Sequence, residues 1–285
     1  MNFINKAIVS VLPLLPRSLV KIFSKKYVAG TNDNEVLKVV EKLNKNNQFA
    51  TVDILGEHTS QKDEALKITS DYIHLLEKIK TSSLNCNLSI KPSHIGSDIN
   101  YNTVFNNFKS ILKTASQFNN FIRIDMESSK LTDTTIKLYN DLQSISSNIG
   151  IVFQAYLHRT ENDINNLNKH SNIRLCKGIY KESSDIAYQG YEEINENYLK
   201  LLELAFKKEI YVGIATHDKQ LIHSSMNLID KMGINNNMFE FQYLYGVPMK
   251  NIVRIYHEKN FKARSYVPFG KEWYDYSIRR IKENP

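Results

Sequence analysis

Eight short runs of β-branched and aromatic residues alternate along the chain with longer segments in which apolar residues recur every three or four positions. The short runs predict strands and the longer segments predict helices, because these spacings place apolar side chains on one face of each element. Strands are expected near 51–55, 86–91, 121–126, 150–156, 172–178, 210–215, 239–243 and 262–267, and helices over 59–80, 101–117, 131–146, 184–207 and 219–232. This alternation predicts an α/β fold, a (β/α)8 TIM-like barrel with extra N-terminal helices.

Polar residues stand at the downstream ends of the predicted strands. They are Asp53, Lys91, Asp125 with Glu127, Gln154, Arg174 with Lys177, Thr216 with His217, Gln242 and Tyr266. The interior of such a barrel is mostly branched and apolar, and its active site lies at the C-terminal ends of the strands. We therefore expect these residues at the mouth of the barrel, where their buried charges need reciprocal ion pairs or a polar ligand.

The 285 residues suit one barrel, since these domains run to about 250 residues. We expect a single domain over 1–285, with 1–48 forming an N-terminal helical segment. An apolar stretch over 7–15, continued at helical spacing to Phe23, predicts a helix packed on or near the barrel base, and a membrane-surface helix is the alternative. A doubly wound sheet is the other fold to consider, but none of the ten glycines forms a dinucleotide-binding fingerprint or a P-loop.

The net charge of +7 narrows the choice of partner only a little. The 37 basic residues are interspersed among 30 acidic ones without a basic arm, which argues against nucleic acid and leaves an anionic substrate, cofactor or membrane surface. Two cysteines without CxxC spacing, and the absence of an HExxH motif, favour a reducing cytoplasm and no structural metal. No segment has the roughly 18 uninterrupted apolar residues of a membrane span.

The end of the chain combines aromatic and guanidinium groups on one predicted helix, over 272–284. Trp273, Tyr276, Arg280 and Glu283 follow helical spacing, and Arg279 precedes Arg280. Paired arginines suit a carboxylate or a phosphate, because the planar guanidinium donates two parallel hydrogen bonds. The alternative is a solvent-exposed Arg279 paired with Glu283 at i+4.

Taken in order, the strand-end segments resemble the proline dehydrogenase family, in its monofunctional bacterial form. The segments are DILGE at 53–57, SIKPS at 89–93, IDME at 124–127, QAYL at 154–157, RLCKG at 174–178 with Tyr180, ATH at 215–217, FEFQ at 239–242 with LYG at 244–246, and YVPFG at 266–270 continuing through Tyr276 to 279–280 and 283–284. Each segment alone is weak evidence for the family, but eight segments in the family's order make the resemblance specific.

The resemblance implies oxidation of L-proline to pyrroline-5-carboxylate, the first step of proline catabolism. Hydride would pass to N5 of FAD, and the electrons would go on to a quinone at the membrane. The product would be handed to a separate pyrroline-5-carboxylate dehydrogenase. A cytoplasmic location is implied, with a peripheral position at the inner face of the membrane as a further option.

The resemblance also implies roles for individual residues. Arg279 and Arg280 would clamp the proline carboxylate, and Lys91 and Asp125 would form an ion pair at the flavin and substrate. Tyr266 would act beside these four as a catalytic residue. The substrate ring would be lined by Tyr180, Leu244, Tyr266 and Tyr276. FAD would be contacted by Asp125, Gln154, Arg174, Lys177, Gly178, Tyr180, Thr216, His217 and Glu283. Ile179 departs from the family, which usually has alanine there.

Three alternatives remain open. A glycosidase could use Asp125 and Glu127, which lie roughly 7 Å apart along a strand at about 3.4 Å per residue. Another FAD barrel, such as a methylenetetrahydrofolate reductase, would bind flavin and ignore proline. A third reading is a barrel that binds FAD or an amino acid without turnover, because Ile179 or the short C-terminal end has disabled it.

Overall fold

The computed structural model describes residues 20–21 and 24–283, and the side chains of 281–283 are outside this description. The N-terminal helix expected over 7–23 therefore lies almost wholly outside the described residues. Among the described helices, none combines the length and the apolar run that crossing a bilayer requires.

Eight parallel strands close into a barrel in sequence order, with the eighth strand paired to the first. The strands are β1 Phe49–Ile54, β2 Cys86–Ile90, β3 Ile122–Ile124, β4 Ile149–Gln154, β5 Asn172–Cys176, β6 Tyr211–Ala215, β7 Phe239–Leu244 and β8 Ala263–Phe269. The predicted (β/α)8 barrel is confirmed, and each strand lies within a few residues of its expected position.

The helices cover the outside of the barrel. They are α1 Asp33–Lys45, α2 Lys62–Thr81, α3 Tyr101–Gln117, α4 Thr132–Gln143, α5 Thr160–Asn165, α6 Tyr191–Lys207, α7 Lys219–Met232, α8 Lys250–Glu258 and α9 Trp273–Glu283. Parallel neighbouring strands need such crossovers, and the amphipathic pattern supplies them.

One predicted helix begins later than expected. The prediction over 184–207 is wrong for its first seven residues, because α6 begins at Tyr191. The backbone before it bonds elsewhere: Tyr188 N–H donates to Tyr156 O at 2.8 Å, and Ile186 O accepts from His158 N–H at 3.0 Å. The segment over 178–190 is thus a loop attached to the end of β4.

The two faces of the strands differ in chemistry. Residues such as Val52, Leu88 and Phe241 are fully or almost fully buried and belong to one apolar cluster with helix residues that include Tyr72 and Phe108. The alternate residues face the barrel interior, where hydrogen bonds cross it, for example from Arg174 Nη1 to Ser89 Oγ at 3.0 Å. The interior is therefore rich in polar groups from mouth to base.

The described residues before α1 lie against the mouth end of β8. Ala29 N–H donates to Pro268 O at 2.9 Å, and Gly30 O accepts from Gly270 N–H at 3.0 Å. Val20 and Tyr27 pack with Trp273 and other α9 residues. This part of the N-terminal segment supports α9 rather than the barrel base.

Candidate active site

A cavity of about 460 Å³ opens at the C-terminal ends of the strands. Every site residue named from the sequence except Glu283 lines it: Lys91, Asp125, Gln154, Arg174, Lys177, Gly178, Tyr180, Thr216, His217, Leu244, Tyr266, Tyr276, Arg279 and Arg280. Glu283 lies in the last turn of α9, and its side chain is outside the described part. The mouth of the barrel therefore gathers residues that are distant in sequence.

Asp125 is the centre of a buried hydrogen-bond network. Its Oδ1 accepts from Ser89 Oγ at 2.6 Å and from Arg174 Nη1 at 2.8 Å, and its Oδ2 accepts from Tyr266 Oη at 3.0 Å. Burial, together with the nearby Asp125, raises the pKa of Tyr266 well above its usual value, so the phenol stays protonated and donates.

Arg174 is fixed from its other side by an amide. Gln242 Oε1 accepts from Arg174 Nε at 2.6 Å, and Gln242 Nε2 donates to Glu240 Oε1 at 2.6 Å. The carboxylate of Glu240 thereby determines which end of the amide faces Arg174. A chain of hydrogen bonds runs from the barrel interior up to Asp125.

Lys91 pairs with a different carboxylate from the one expected. Its Nζ donates to Asp53 Oδ2 at 2.7 Å, while Asp125 pairs with Arg174. The predicted Lys91–Asp125 ion pair is wrong in its partner, since Asp125 already accepts three other hydrogen bonds. Burial opposes the charge on Lys91, but Asp53 and Asp125 raise its pKa above the usual value, so the ammonium is retained.

The two neighbouring arginines of α9 have different environments. Arg280 is only 7% exposed, and its guanidinium carbon lies 5.6 Å from the centre of the Tyr276 ring. The Arg279 side chain is 38% exposed, and its Nη2 donates to Glu57 Oε1 at 3.2 Å. Successive helix residues point about 100° apart, which explains why one guanidinium lies inside and the other at the rim.

Three side chains on the opposite wall are held by neighbouring groups. Gln154 Nε2 donates to Glu127 O at 3.2 Å, and its buried Oε1 has no hydrogen-bond partner in the described part of the chain. Lys177 Nζ donates to Asp218 Oδ2 at 2.6 Å. Thr216 Oγ1 accepts from Asp218 N–H at 3.2 Å. Burial alone would raise the pKa of Asp218, but hydrogen bonds from Lys177 and Tyr191 hold it well below its usual range.

His217 accepts a hydrogen bond from Leu244 N–H at its Nε2, at 2.9 Å. Burial and the nearby Arg280 lower the pKa of His217 to about 4, so the imidazole is neutral at pH 7.

Gly178 has φ of +112°, and a Cβ there would collide with the Tyr156 ring, so this position requires glycine. Ile179 lines the cavity yet is 59% exposed, so its larger side chain extends largely into solvent.

Glu57, His58 and Glu127 bring three metal-ligand types within 4.8 Å of one another in the described residues. Each has another partner: Glu57 accepts from Arg279, His58 Nδ1 lies 2.8 Å from Asp98 Oδ2, and Glu127 accepts from Ser93 N–H and Oγ. These contacts account for the cluster without a metal.

Several residues that contact the predicted site residues, including Ser89, Asp53 and Asp218, were not themselves predicted as site residues. Ser89 lies two residues before Lys91, and this i, i+2 spacing placed it on the same strand face. Asp53 was noted as a strand-end carboxylate, but its pairing with Lys91 depends on the position of β1 beside β2. Nothing in the sequence indicated Asp218 as a site residue except that it follows His217.

Comparison with known proteins identifies the same family from a family model and from individual relatives. The family model described as "Proline dehydrogenase" matches residues 36–285. The chain is 33% identical to "Proline dehydrogenase 2" of Bacillus subtilis strain 168 over 266 residues, which cover 93% of this chain and 88% of that protein. It is 29% identical to "Proline dehydrogenase" of Deinococcus radiodurans over 268 residues, covering 92% of this chain and 86% of that protein.

Among solved structures, the fold is similar to that of proline utilization A (PutA) from Bdellovibrio bacteriovorus inactivated by N-propargylglycine. The TM-score is 0.84 at 23% identity, and the match covers 92% of this chain. The matched region is 32% of the PutA chain, so this chain spans about a third of that protein. At this identity the match supports the barrel fold.

Proposed function

The chain belongs to the proline dehydrogenase family, and we propose that the mouth of its barrel oxidises L-proline to pyrroline-5-carboxylate with FAD as the hydride acceptor. Family membership makes the chain an oxidoreductase of proline catabolism, and it removes the glycosidase and methylenetetrahydrofolate reductase alternatives. The observation that carries the proposal for the site is that one cavity gathers all but one of the residues named from the family motifs.

The residues at the mouth fit a flavin. Among the described residues the buried Oε1 of Gln154 has no hydrogen-bond partner, which suits a ring N–H, and Lys177 offers a cation for a phosphate. We assign Arg174, Lys177, Gly178, Thr216 and His217 to the same cofactor, and Glu283 stays a prediction. FAD, when bound, supplies the hydride acceptor that no side chain can provide.

Arg280 is the residue we assign to the proline carboxylate, with Arg279 beside it. A guanidinium that is 7% exposed and stacked near Tyr276 offers a rigid, weakly hydrated donor pair for a carboxylate. Arg279 is more exposed and forms an ion pair with Glu57, so we assign it a smaller part of the free energy of proline binding.

The other residues at the mouth orient the substrate and exclude water. Tyr180, Leu244, Tyr266 and Tyr276 line the cavity and would pack against the proline ring. The lining carries five acidic and five basic side chains, so its formal charges cancel, and a bound amine would also be desolvated. Desolvation lowers the pKa of an amine and favours the neutral form, whose lone pair assists hydride loss.

Lys91 keeps its proton because Asp53 and Asp125 stabilise the ammonium. We assign it a role beside Asp125 at the substrate, in which the fixed pairs Lys91–Asp53 and Arg174–Asp125 hold the polar wall in one arrangement. A preorganised wall costs little reorganisation when charge moves during the reaction.

We further propose a quinone at the membrane as the electron acceptor, a cytoplasmic location with peripheral contact at the inner face of the membrane, and release of the product to a separate pyrroline-5-carboxylate dehydrogenase. A single domain over 1–285, with a helical segment over 1–48, also stays a prediction.

The experiment that tests the proposal is an anaerobic absorbance spectrum of the purified protein with FAD, taken before and after each proline enantiomer is added. L-proline should bleach the flavin band in the blue, and D-proline should leave it unchanged. Flavin that binds but is not bleached would leave the third alternative, a barrel without turnover, and Ile179→Ala would then test whether Ile179 is the cause.

A further inference from the structure

A second cavity of about 460 Å³ lies at the opposite end of the barrel, among the N-terminal ends of the strands. Its lining includes Lys80, Arg123, Asn172, Tyr211, Glu240 and Arg264. The proposed oxidation uses none of these residues directly. A barrel base is usually closed by branched apolar side chains, so a cavity lined by charges needs an explanation.

Arg123 is a buried guanidinium without a carboxylate partner. It is 2% exposed, and none of the ion pairs in the described part of the chain includes it. Its hydrogen bonds go to neutral groups: Nη1 donates to Ile151 O at 3.1 Å and Asn172 O at 2.8 Å, and Nη2 donates to Asn172 Oδ1 at 2.6 Å. Burial, and then the nearby Arg174, lower the pKa of Arg123 to about 9, while Glu240 acts in the opposite direction. Glu240 is hydrogen-bonded to Arg264, so the one carboxylate near Arg123 in the described cavity lining is shared between two arginines.

The unused donors of Arg123 lie along one edge. Its Nη1 bonds two carbonyls, and one N–H of Nη2 bonds Asn172, which leaves the Nε–H and the second N–H of Nη2. The Nε atom is itself buried and has no hydrogen-bond partner among the described residues. These two N–H groups point in parallel, and this edge of an arginine is one that a carboxylate or phosphate accepts bidentately.

The neighbouring charges favour an anion there. Arg264 Nε donates to Glu240 Oε1 at 2.6 Å, so these two charges balance each other. Arg123 therefore sets the sign of the charge inside the cavity, and Lys80, an exposed residue, adds a cation at its entrance. The Phe121 ring lies 4.9 Å from the guanidinium carbon of Arg123 and keeps water from that face.

We propose that the base cavity binds a small oxyanion, a carboxylate or a phosphate, with the free edge of Arg123 as its anchor. The proposal is independent of proline oxidation. The anion supplies the counter-charge that Arg123 lacks, so it stabilises the fold by binding the native state.

The test is a titration of the full chain with sodium phosphate or sodium acetate at constant ionic strength, held with sodium chloride. Calorimetry and thermal unfolding should show saturable binding and a rise in Tm with at least one of the two anions, and which one responds identifies the class. No saturable response to either anion overturns the proposal.

A substitution that supplies the counter-charge from within gives the sharper test. Asn172→Asp places a carboxylate 2.6 Å from Arg123 Nη2, so Tm without anion should rise and anion affinity should fall at least tenfold. Asn227→Asp, the same change at an exposed position on α7, is the matched control and should leave the anion response unchanged. An equal anion response in the two variants overturns the assignment to Arg123.

The position can be located with selenate, an oxyanion that scatters X-rays anomalously. A peak within hydrogen-bond distance of Arg123 Nε or Nη2 is expected in crystals of the full chain soaked with selenate. Selenate found only at the protein surface, with water alone at Arg123, contradicts the proposal.

Discussion

The mouth and the base of the barrel both contain buried arginines, but they differ in how the charges of these arginines are paired. At the mouth, Arg174 lies 2.8 Å from Asp125, and Lys91 lies 2.7 Å from Asp53. At the base, Arg264 is paired with Glu240, while the hydrogen bonds of Arg123 to the described residues go to neutral groups. A buried charge is tolerated only with a partner or a ligand, so the two ends pose different requirements.

The balanced charges of the mouth suit the positioning of catalytic side chains, and the less balanced charges of the base suit the binding of a ligand. A network whose charges are already balanced can hold its side chains in one geometry before a ligand arrives, which suits catalysis. An unbalanced buried charge gains stability from a ligand that supplies the missing sign. Hydrogen bonds through Glu240, Gln242 and Arg174 connect the two ends.

The largest effect is expected when the mouth is made to resemble the base. Asp125→Ala removes the carboxylate of Arg174 and should lower the free energy of unfolding by about 3–5 kcal/mol, because a buried charge then lacks its partner. Urea denaturation measures this loss, and proline oxidation should also disappear.

The matched variant removes both charges. Asp125→Leu combined with Arg174→Met should recover much of the stability without recovering activity, since an apolar pair replaces a balanced ionic one. A double variant as unstable as Asp125→Ala would show that the pair is not the cause.

A smaller effect is expected at the substrate arginines. Arg280→Met should weaken apparent proline binding by about 2 kcal/mol or more, about thirtyfold, if the carboxylate is held bidentately by a buried guanidinium. Arg279→Met should cost less, because Arg279 is more exposed and paired with Glu57. Steady-state kinetics on both variants measures the difference, and equal losses would remove the distinction between them.

Acid should act on the mouth side through a buried histidine. Burial, and then the charge of Lys91, lower the pKa of His94 to about 3, while the unfolded chain has a value of about 6.5. The unfolded state therefore binds the proton first, and this contribution to stability is present above about pH 6.5 and lost as pH falls toward 3.

Between pH 8 and pH 5, protonation of His94 in the unfolded state should lower the free energy of unfolding by about 2 kcal/mol. His94→Gln should flatten the fall in stability over that range by a similar amount. Denaturation series on both proteins, at matched ionic strength, measure it. A parallel fall in the two proteins would mean that His94 is not the responsible group.

The smallest effect is expected far from both ends. Glu41 and Lys45 form an exposed i, i+4 pair on α1, with oxygen and nitrogen 2.7 Å apart. Water and salt screen such a pair, so Glu41→Gln should leave Tm unchanged within error. A clear loss of Tm would mean that surface pairs matter as much as buried ones in this protein.

The sequence predicted the mouth of the barrel better than its base. Asp125, Arg174 and Tyr266 were found because polar residues at strand ends contrast with the apolar runs before them. The pairing of Lys91 with Asp53 was missed, because partner choice depends on how far a long side chain reaches across neighbouring strands, which no local pattern records.

The base was not predicted, because the interior of such a barrel is usually apolar. Arg123 in β3 lies two residues before Asp125, so both side chains point to the same side, and Glu240 has the same relation to Gln242 in β7. That spacing placed both residues inside the barrel. The helix prediction is wrong over 184–190, because apolar residues there, such as Ile186, have helical spacing although the backbone bonds to the end of β4.

If proline is oxidised at the mouth of the barrel, flavin reduction should depend on a residue there and not on a residue at the base. Anaerobic flavin reduction by L-proline should be followed in the unchanged protein, in Arg280→Met and in Lys80→Gln, all loaded with FAD. We expect the unchanged protein and Lys80→Gln to be bleached over the same range of proline concentration, and Arg280→Met to need about thirtyfold more. Bleaching of all three at the same proline concentration, or of none, would contradict the account.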